Sequence, residues 1–200
     1  NIAYASDGIT GLGDENITLD TSIVNAFDLN ILDSNTAGTI NADIVTTIEG
    51  LAKDINIAYA SDGISKTNLG TETVNLTDLT VDASDLNILD SNNTTGTINA
   101  SGVATITGSA IDINIAYASD GITGLGDENI TLSDPSLVSD LNKLDAATTG
   151  IITAIVTETD IPTLKTLTDI NNNNAYSITI SDSTATALDL NMLDLSLIHI

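Results

Sequence analysis

The residues best equipped for chemistry in this chain are carboxylates set among glycines. The string Asp-Gly-Ile-Thr-Gly-Leu-Gly-Asp-Glu-Asn occurs intact at Asp7–Asn16 and again at Asp120–Asn129. Acidic side chains on a pliant loop suit calcium, which takes roughly 6–8 oxygen ligands at about 2.3–2.6 Å. The candidate ligands are Asp7, Asp14, Glu15, Asp120, Asp127 and Glu128. The pattern matches neither an EF-hand loop nor the calcium-binding nonapeptide with its paired glycines. In the intervening copy, Lys66 and Asn68 stand where the pattern has glycine and acid. A glycine-rich surface turn with diffuse cation screening is the plainer reading of these loops.

Groups for catalysis are missing. The chain has no cysteine, no arginine and a single histidine, His199. A nucleophile–histidine–acid relay, a metal-hydrolase cluster or a phosphate loop cannot be assembled from what remains. Counting alone leaves open a carboxylate pair for glycoside hydrolysis. Yet each acid here recurs inside a repeated pattern, where a catalytic pair would be singular. The expectation is a protein that is not an enzyme and has no cofactor, calcium in the loops being the exception to test. The pairs Thr71/Thr73, Thr105/Thr107 and Thr157/Thr159 resemble ranks of an ice-binding face. Their irregular placement, interrupted by Glu72 and Glu158, points instead to ordinary strand threonines.

Composition narrows the class further. Of 200 residues, 42% are apolar but only five are aromatic, four Tyr and one Phe. Interiors filled by Ile, Leu, Val and Ala suggest narrow, regular layers, because large rings normally fill irregular ones. There are 28 acids against four lysines, giving a formal net charge of -24. Such a charge opposes nucleic acid and anionic lipid as partners. No apolar run approaches the ~20 residues of a membrane-spanning helix.

Internal repetition organises all of this. Asn-Ile-Ala-Tyr-Ala-Ser-Asp-Gly-Ile starts at Asn1, Asn56 and Asn114, spacings of 55 and 58, with a worn copy near Asn171. The tripeptide Asp-[Leu/Ile]-Asn begins at residues 28, 54, 85, 112, 140, 169 and 189, giving an elementary unit of about 28. Each unit has a short β-branched stretch: Ile17–Leu19, Thr39–Asn41, Val74–Leu76, Thr97–Asn99, Ile130–Leu132 and Ile178–Ile180. A capping Ser, Thr or Asp follows, then an apolar run of helical spacing such as Leu51–Ile55–Tyr59, ending near Gly8, Gly38, Gly96, Gly121 or Gly150.

The fold expected is an α/β repeat solenoid, with parallel strands and short helices in units of about 28 residues. All six β-branched stretches would then share one sheet. The alternative is a string of small α+β domains, one per long repeat of about 57 residues. The divisions are 1–55, 56–113, 114–170, a truncated 171–194, and a non-repeat tail 195–200. That tail leaves the repeat grammar and reads as appended sequence, and the opening in mid-motif reads as an internal piece of a longer chain. The seven asparagines of the tripeptide, Asn30, Asn56, Asn87, Asn114, Asn142, Asn171 and Asn191, are placed to form an internal amide ladder that satisfies backbone groups of the next turn.

The phrases Asp-Leu-Asn-Ile-Leu-Asp, Thr-Gly-Thr-Ile-Asn-Ala and Ala-Tyr-Ala-Ser-Asp-Gly-Ile-Thr-Gly-Leu-Gly resemble those of very long repetitive surface proteins of marine cyanobacteria and related bacteria. The likeness is one of repeat style and runs to about Asp194. It implies secretion, placement at the cell surface or in a matrix, and adhesive or protective roles, often with calcium nearby. The function expected is therefore a structural or adhesive segment of a large secreted protein. Its partners would be neighbouring repeats of the parent chain, and cell-surface glycans or matrix. A calcium-dependent or glycan-binding module is the alternative, with ice binding behind it.

Overall fold

The computed structural model describes residues 3–5, 7, 9–65 and 69–197, with side chains to Leu193. Lys66, Asn68 and His199 thus lie outside the described residues. The chain is α/β, with seven helices among the described residues and every strand pairing parallel. It opens with β1 (Ile17–Thr18), β2 (Ile23–Asn25), α1 (Ala26–Asn35), β3 (Ile40–Asn41), β4 (Thr47–Gly50) and α2 (Ala52–Ala60). Next come β5 (Thr73–Leu76), β6 (Thr80–Asp82), α3 (Ala83–Asn92), β7 (Ile98–Asn99), β8 (Thr105–Gly108) and α4 (Ala110–Ala118). It closes with β9 (Ile122–Thr123), β10 (Asn129–Leu132), α5 (Val138–Ala147), β11 (Ile152–Ile155), α6 (Ile161–Leu164), β12 (Ala175–Ser177) and α7 (Ala187–Leu197).

Two compact units interleave along the sequence. The first holds a five-stranded sheet in the order β2-β4-β5-β7-β9 and a two-stranded sheet of β1 and β3, to which Ile64 adds a bridge at Ile40. Across the larger sheet, Val24, Ile48, Val74, Ile98 and Ile122 stand in one rank, none more than 8% exposed. The second unit holds the order β12-β11-β10-β8-β6, with Val81, Ile106, Ile130 and Ile152 ranked in the same way and buried. Period-2 alternation turns the flanking residues outward. Thr107, Thr131 and Thr153 therefore form a half-buried to exposed row on the other face.

Two expectations need correction here. The six β-branched stretches do not share a sheet: β1 and β3 lie in one, β5 and β7 in a second, β10 in a third, and Ile178–Ile180 gives way to β12 just before it. The pairing interval is also shorter than 28 residues, for example 23 from Ile17 to Ile40, 26 from Ile48 to Val74 and 22 from Ile130 to Ile152. A sidestep explains both. After Ile64 bridges to Ile40, only ten residues carry the chain to Val74, which pairs with Ile48 in the neighbouring sheet. Among the described residues no helix intervenes. Halving the long repeat therefore gives an interval that no pair of described strands has. In consequence β5 is bonded by β4 on one side and β7 on the other, as β10 is by β8 and β11. Sheets are shared between long repeats, across the divisions at 55/56 and 113/114.

The helices follow the tripeptide. Its central residue points inward in α1 to α5: Leu29 is 3% exposed, and Ile55, Leu86, Ile113 and Leu141 are 0%, whereas Leu190 in α7 is 45% exposed and Ile170, outside any helix, 62%. Asn25 caps α1, Ser109 caps α4 and Asp160 caps α6, accepting first-turn N–H groups as expected of such residues. Where the cap residue is a leucine, a carboxylate from further along the chain serves instead. Asp78 accepts from Ala52 N–H (2.9 Å) at α2, and Glu158 from Val138 N–H (3.0 Å) at α5. The positive end of the helix dipole favours both. Burial pushes the Asp78 carboxyl up from its ordinary range.

The glycine stops also differ from expectation. Helices end at Thr36, Ser61, Ser119 and Thr148 in extended conformation. Gly38, Gly96 and Gly150 follow for another reason: a Cβ there would meet the carbonyl oxygens of Glu15, Glu72 and Glu128 at 2.3, 2.0 and 2.2 Å.

Ile106, fully buried in the middle of its sheet, sets a test of the ranked core. Ile106→Ala should cost about 2–5 kcal/mol in urea denaturation. Ile111→Ala, on the 65% exposed face of α4, should stay within about 0.5 kcal/mol.

Candidate functional site

The acidic glycine loops fold into a carboxylate-centred turn that occurs three times. Its core is Gly-x-Glu at Gly13/Glu15, Gly70/Glu72 and Gly126/Glu128, with each glycine at positive φ (129°, 96° and 138°). Only glycine adopts such a backbone without strain. The turn folds the Glu side chain back onto the loop N–H groups. Glu15 Oε2 accepts from Gly13 N–H (2.6 Å) and Asp14 N–H (2.9 Å). Glu72 Oε2 accepts from Gly70 N–H (2.7 Å) and Thr71 N–H (2.9 Å). Glu128 Oε1 accepts from Gly126 N–H (2.8 Å).

A tyrosine completes the turn. Tyr117 donates its hydroxyl to Glu128 Oε2 (2.6 Å), and Tyr4 donates to Glu15 Oε1. The main-chain carbonyl of each Glu then receives a side chain from the residues just past the following helix: Thr36 (2.8 Å), Asn93 (3.0 Å) and Thr148 (2.8 Å). This is where Gly38, Gly96 and Gly150 lie against the chain. The middle copy is looser. Tyr59 precedes Glu72 by 13 residues, against 11 in the other two copies, and both Tyr59 Oη and Glu72 Oε1 are buried without a hydrogen-bond partner.

The electrostatics follow from this geometry. The Tyr4 hydroxyl, with help from Gly13 N–H, holds the Glu15 carboxyl down at about 2. Burial first, and the facing Glu128 second, push the Tyr117 phenol above its ordinary value. Burial and Glu72 do the same for Tyr59. A phenol held protonated is a lasting donor, and a carboxylate held ionised is a lasting acceptor.

The six proposed calcium ligands therefore divide. Glu15 and Glu128 have their oxygens engaged by backbone N–H and tyrosine hydroxyl groups, and Glu128 is 1% exposed. Asp7, Asp14, Asp120 and Asp127 are exposed on the loops. Among the described residues, no three His, Asp or Glu side chains converge on a cation position. Glu72, taken from sequence as interrupting an outward threonine rank, is instead 3% exposed and faces in.

The asparagines bond from helix to helix. Asn30 Nδ2 donates to Asp54 O (2.8 Å), Asn56 Nδ2 to Asp85 O (2.9 Å), and Asn114 Nδ2 to Ala110 O (2.8 Å) and Asp140 O (3.4 Å). The receiving carbonyl is the Asp of the next tripeptide in all three. Asn142 Nδ2 donates to Thr166 O (2.8 Å), and its Oδ1 accepts from Thr168 N–H (2.8 Å). Asn171 Nδ2 reaches Thr148 O at 3.4 Å, outside any helix. Asn87 is half-buried on α3 and Asn191 exposed on α7. A further buried acid escaped sequence reasoning. Asp145, 2% exposed, accepts from Ile170 N–H (3.1 Å) and Asn174 Nδ2 (2.8 Å).

No protein-family profile, curated protein or solved structure matches the chain.

Two outcomes follow for the turn. Glu15 has a folded pKa below its ordinary 4.5, so its stabilising effect is present above that value and is lost as pH falls through about 2. Carboxyl titration by NMR should place the Glu15 midpoint near 2, and Tyr4→Phe should move it back towards 4.5. At the buried copy, Glu128→Ala strands the Tyr117 hydroxyl and a loop N–H and should cost about 2–4 kcal/mol in chemical denaturation. The exposed neighbour Asp127→Ala should cost under about 0.5 kcal/mol.

Proposed function

We propose that the chain is a structural or adhesive segment of a large secreted repeat protein, its coils stacked as an α/β solenoid, with no catalytic role. The observation that carries this reading is the use made of the chemistry-bearing side chains. In successive copies Glu15, Glu72 and Glu128 accept from their own loop N–H groups, Tyr4 and Tyr117 donate to the Glu carboxylates, and Asn30, Asn56 and Asn114 donate to backbone of the next helix. A catalytic or ligand-binding group is normally a local exception to the fold around it. Here the acids and amides belong to the construction.

The net charge of -24 fits an extracellular or cell-surface setting, where salt shortens the reach of like-charge repulsion. Neighbouring repeats of a parent chain are the first partners, with surface glycans or matrix beyond them. Among the described residues no helix is long and apolar enough to cross a membrane.

The reading is tested by thermal melts in calcium chloride and sodium chloride matched for ionic strength. Both salts should raise the melting temperature to a similar degree, because screening relieves the same repulsion. A rise of several degrees peculiar to millimolar calcium, abolished by Asp14→Asn with Asp127→Asn, would move the function to a calcium-dependent module.

A further inference from the structure

The middle carboxylate turn holds a donor and an acceptor that its own chain leaves unpaired. Tyr59 is 8% exposed and Glu72 3%, and both Tyr59 Oη and Glu72 Oε1 are buried without a hydrogen-bond partner. Folded chains rarely leave such groups unsatisfied. The two are also close. Burial first, and the charge of Glu72 second, push the Tyr59 phenol above its ordinary value. A phenol so held keeps its proton and is a donor. Glu72 Oε2 is spent on Gly70 N–H and Thr71 N–H, which leaves Oε1 as the acceptor.

The chain between them explains why they do not meet. Tyr59 is the eighth of nine residues in α2, as Tyr117 is in α4, so each helix sets its phenol at the same post. The glutamates are anchored alike as well. Glu72 O accepts from Asn93 Nδ2 (3.0 Å), and Glu128 O accepts from Thr148 Oγ1 (2.8 Å). Yet Ile64 to Gly70 is a step of six residues, against four from Ile122 to Gly126. Two extra residues are absorbed between fixed posts, and the phenol–carboxylate contact, 2.6 Å at Tyr117, is what gives way. Asn93 does not replace it. Its Nδ2 serves Glu72 O, its Oδ1 accepts from Gly96 N–H (3.0 Å), and it bonds neither orphaned atom.

We propose that the middle turn is a binding site for one ordered water molecule, which accepts from Tyr59 Oη and donates to Glu72 Oε1. The donor–acceptor inventory selects water over a cation. Water offers a lone pair to the phenol and a proton to the carboxylate, and two polar partners suffice to hold it. A metal ion at the same point would satisfy the carboxylate and leave the phenol proton unpaired. No three acids converge on a cation position there among the described residues. A bridged hydrogen bond is nearly as favourable in enthalpy as a direct one. The Tyr–Glu post thereby survives a change of loop length, direct at a separation of 11 residues and water-mediated at 13.

A crystal structure of the whole chain, at a resolution that shows ordered solvent, is the first test. A water should lie within hydrogen-bond distance of both Tyr59 Oη and Glu72 Oε1, and none should separate Tyr117 Oη from Glu128 Oε2. In solution, oxygen-17 relaxation dispersion counts long-held waters. Tyr59→Phe removes one of the two partners and should lower the wild-type amplitude by one water, whereas Tyr117→Phe should not lower it. A site without that water overturns the proposal, whether or not a direct bond takes its place. So does density with the short contacts and many oxygens of a metal ion, or a Tyr59→Phe chain with the wild-type amplitude.

Discussion

A strand of two to four residues cannot hold its shape by itself, and this chain contains twelve of them among the described residues. Everything else depends on the backbone pairing each short strand receives from a segment some 22 to 26 residues away. Parallel pairing needs a connection that returns to the starting side, and the helices supply it. Each is only nine or ten residues long where it links two coils. Isolated helices of that length are marginal in water. Neither element is stable alone, and each is held by its neighbours.

That dependence explains why a strongly acidic chain buries acids. The inner positions of the coils are aliphatic and tightly ranked, but loops and helix ends still present N–H groups that need acceptors. Glu72, Asp78, Glu128 and Asp145 are each no more than 9% exposed and fill that need. No arginine exists to pair with them, so the compensating positive charge is partial: backbone N–H groups, a helix N-terminus or a tyrosine hydroxyl. The other described carboxylates are half-buried or exposed, within reach of salt that screens their mutual repulsion.

Much of this was legible in the sequence, because inward-facing residues obey a strict period. The tripeptide located six of the helices, failing at Asp169, and in the first five its central aliphatic residue located the core, at Leu29, Ile55, Leu86, Ile113 and Leu141. Strand type was legible from Val and Ile, but strand partnership was not. Ile64 and Val74 stand ten residues apart and look like one continuous loop, yet they belong to different sheets. Composition carries no signal for such a step. The tyrosine of the carboxylate turn was not legible for a related reason. Acids near glycines suggest a cation, and nothing local in the sequence says that Tyr4 and Tyr117, eleven residues ahead, donate to Glu15 and Glu128. Glu72 lay hidden because Thr71 replaces its acidic neighbour. Capping by Asp78 and Glu158 could not be read locally, since each lies 20 or more residues from the helix it caps.

The sidestep has a bearing on how such a chain can change length over generations. β5 and β10 accept the same kind of strand behind and offer the same kind of edge ahead. Excising one long repeat, by recombination between its near-identical strings, joins a β4-type strand to a β10-type strand and leaves every junction of a familiar kind. Exchange in whole long repeats preserves each pairing, and the near-identity of the strings at Asn1, Asn56 and Asn114 is what unequal exchange in that quantum would leave behind.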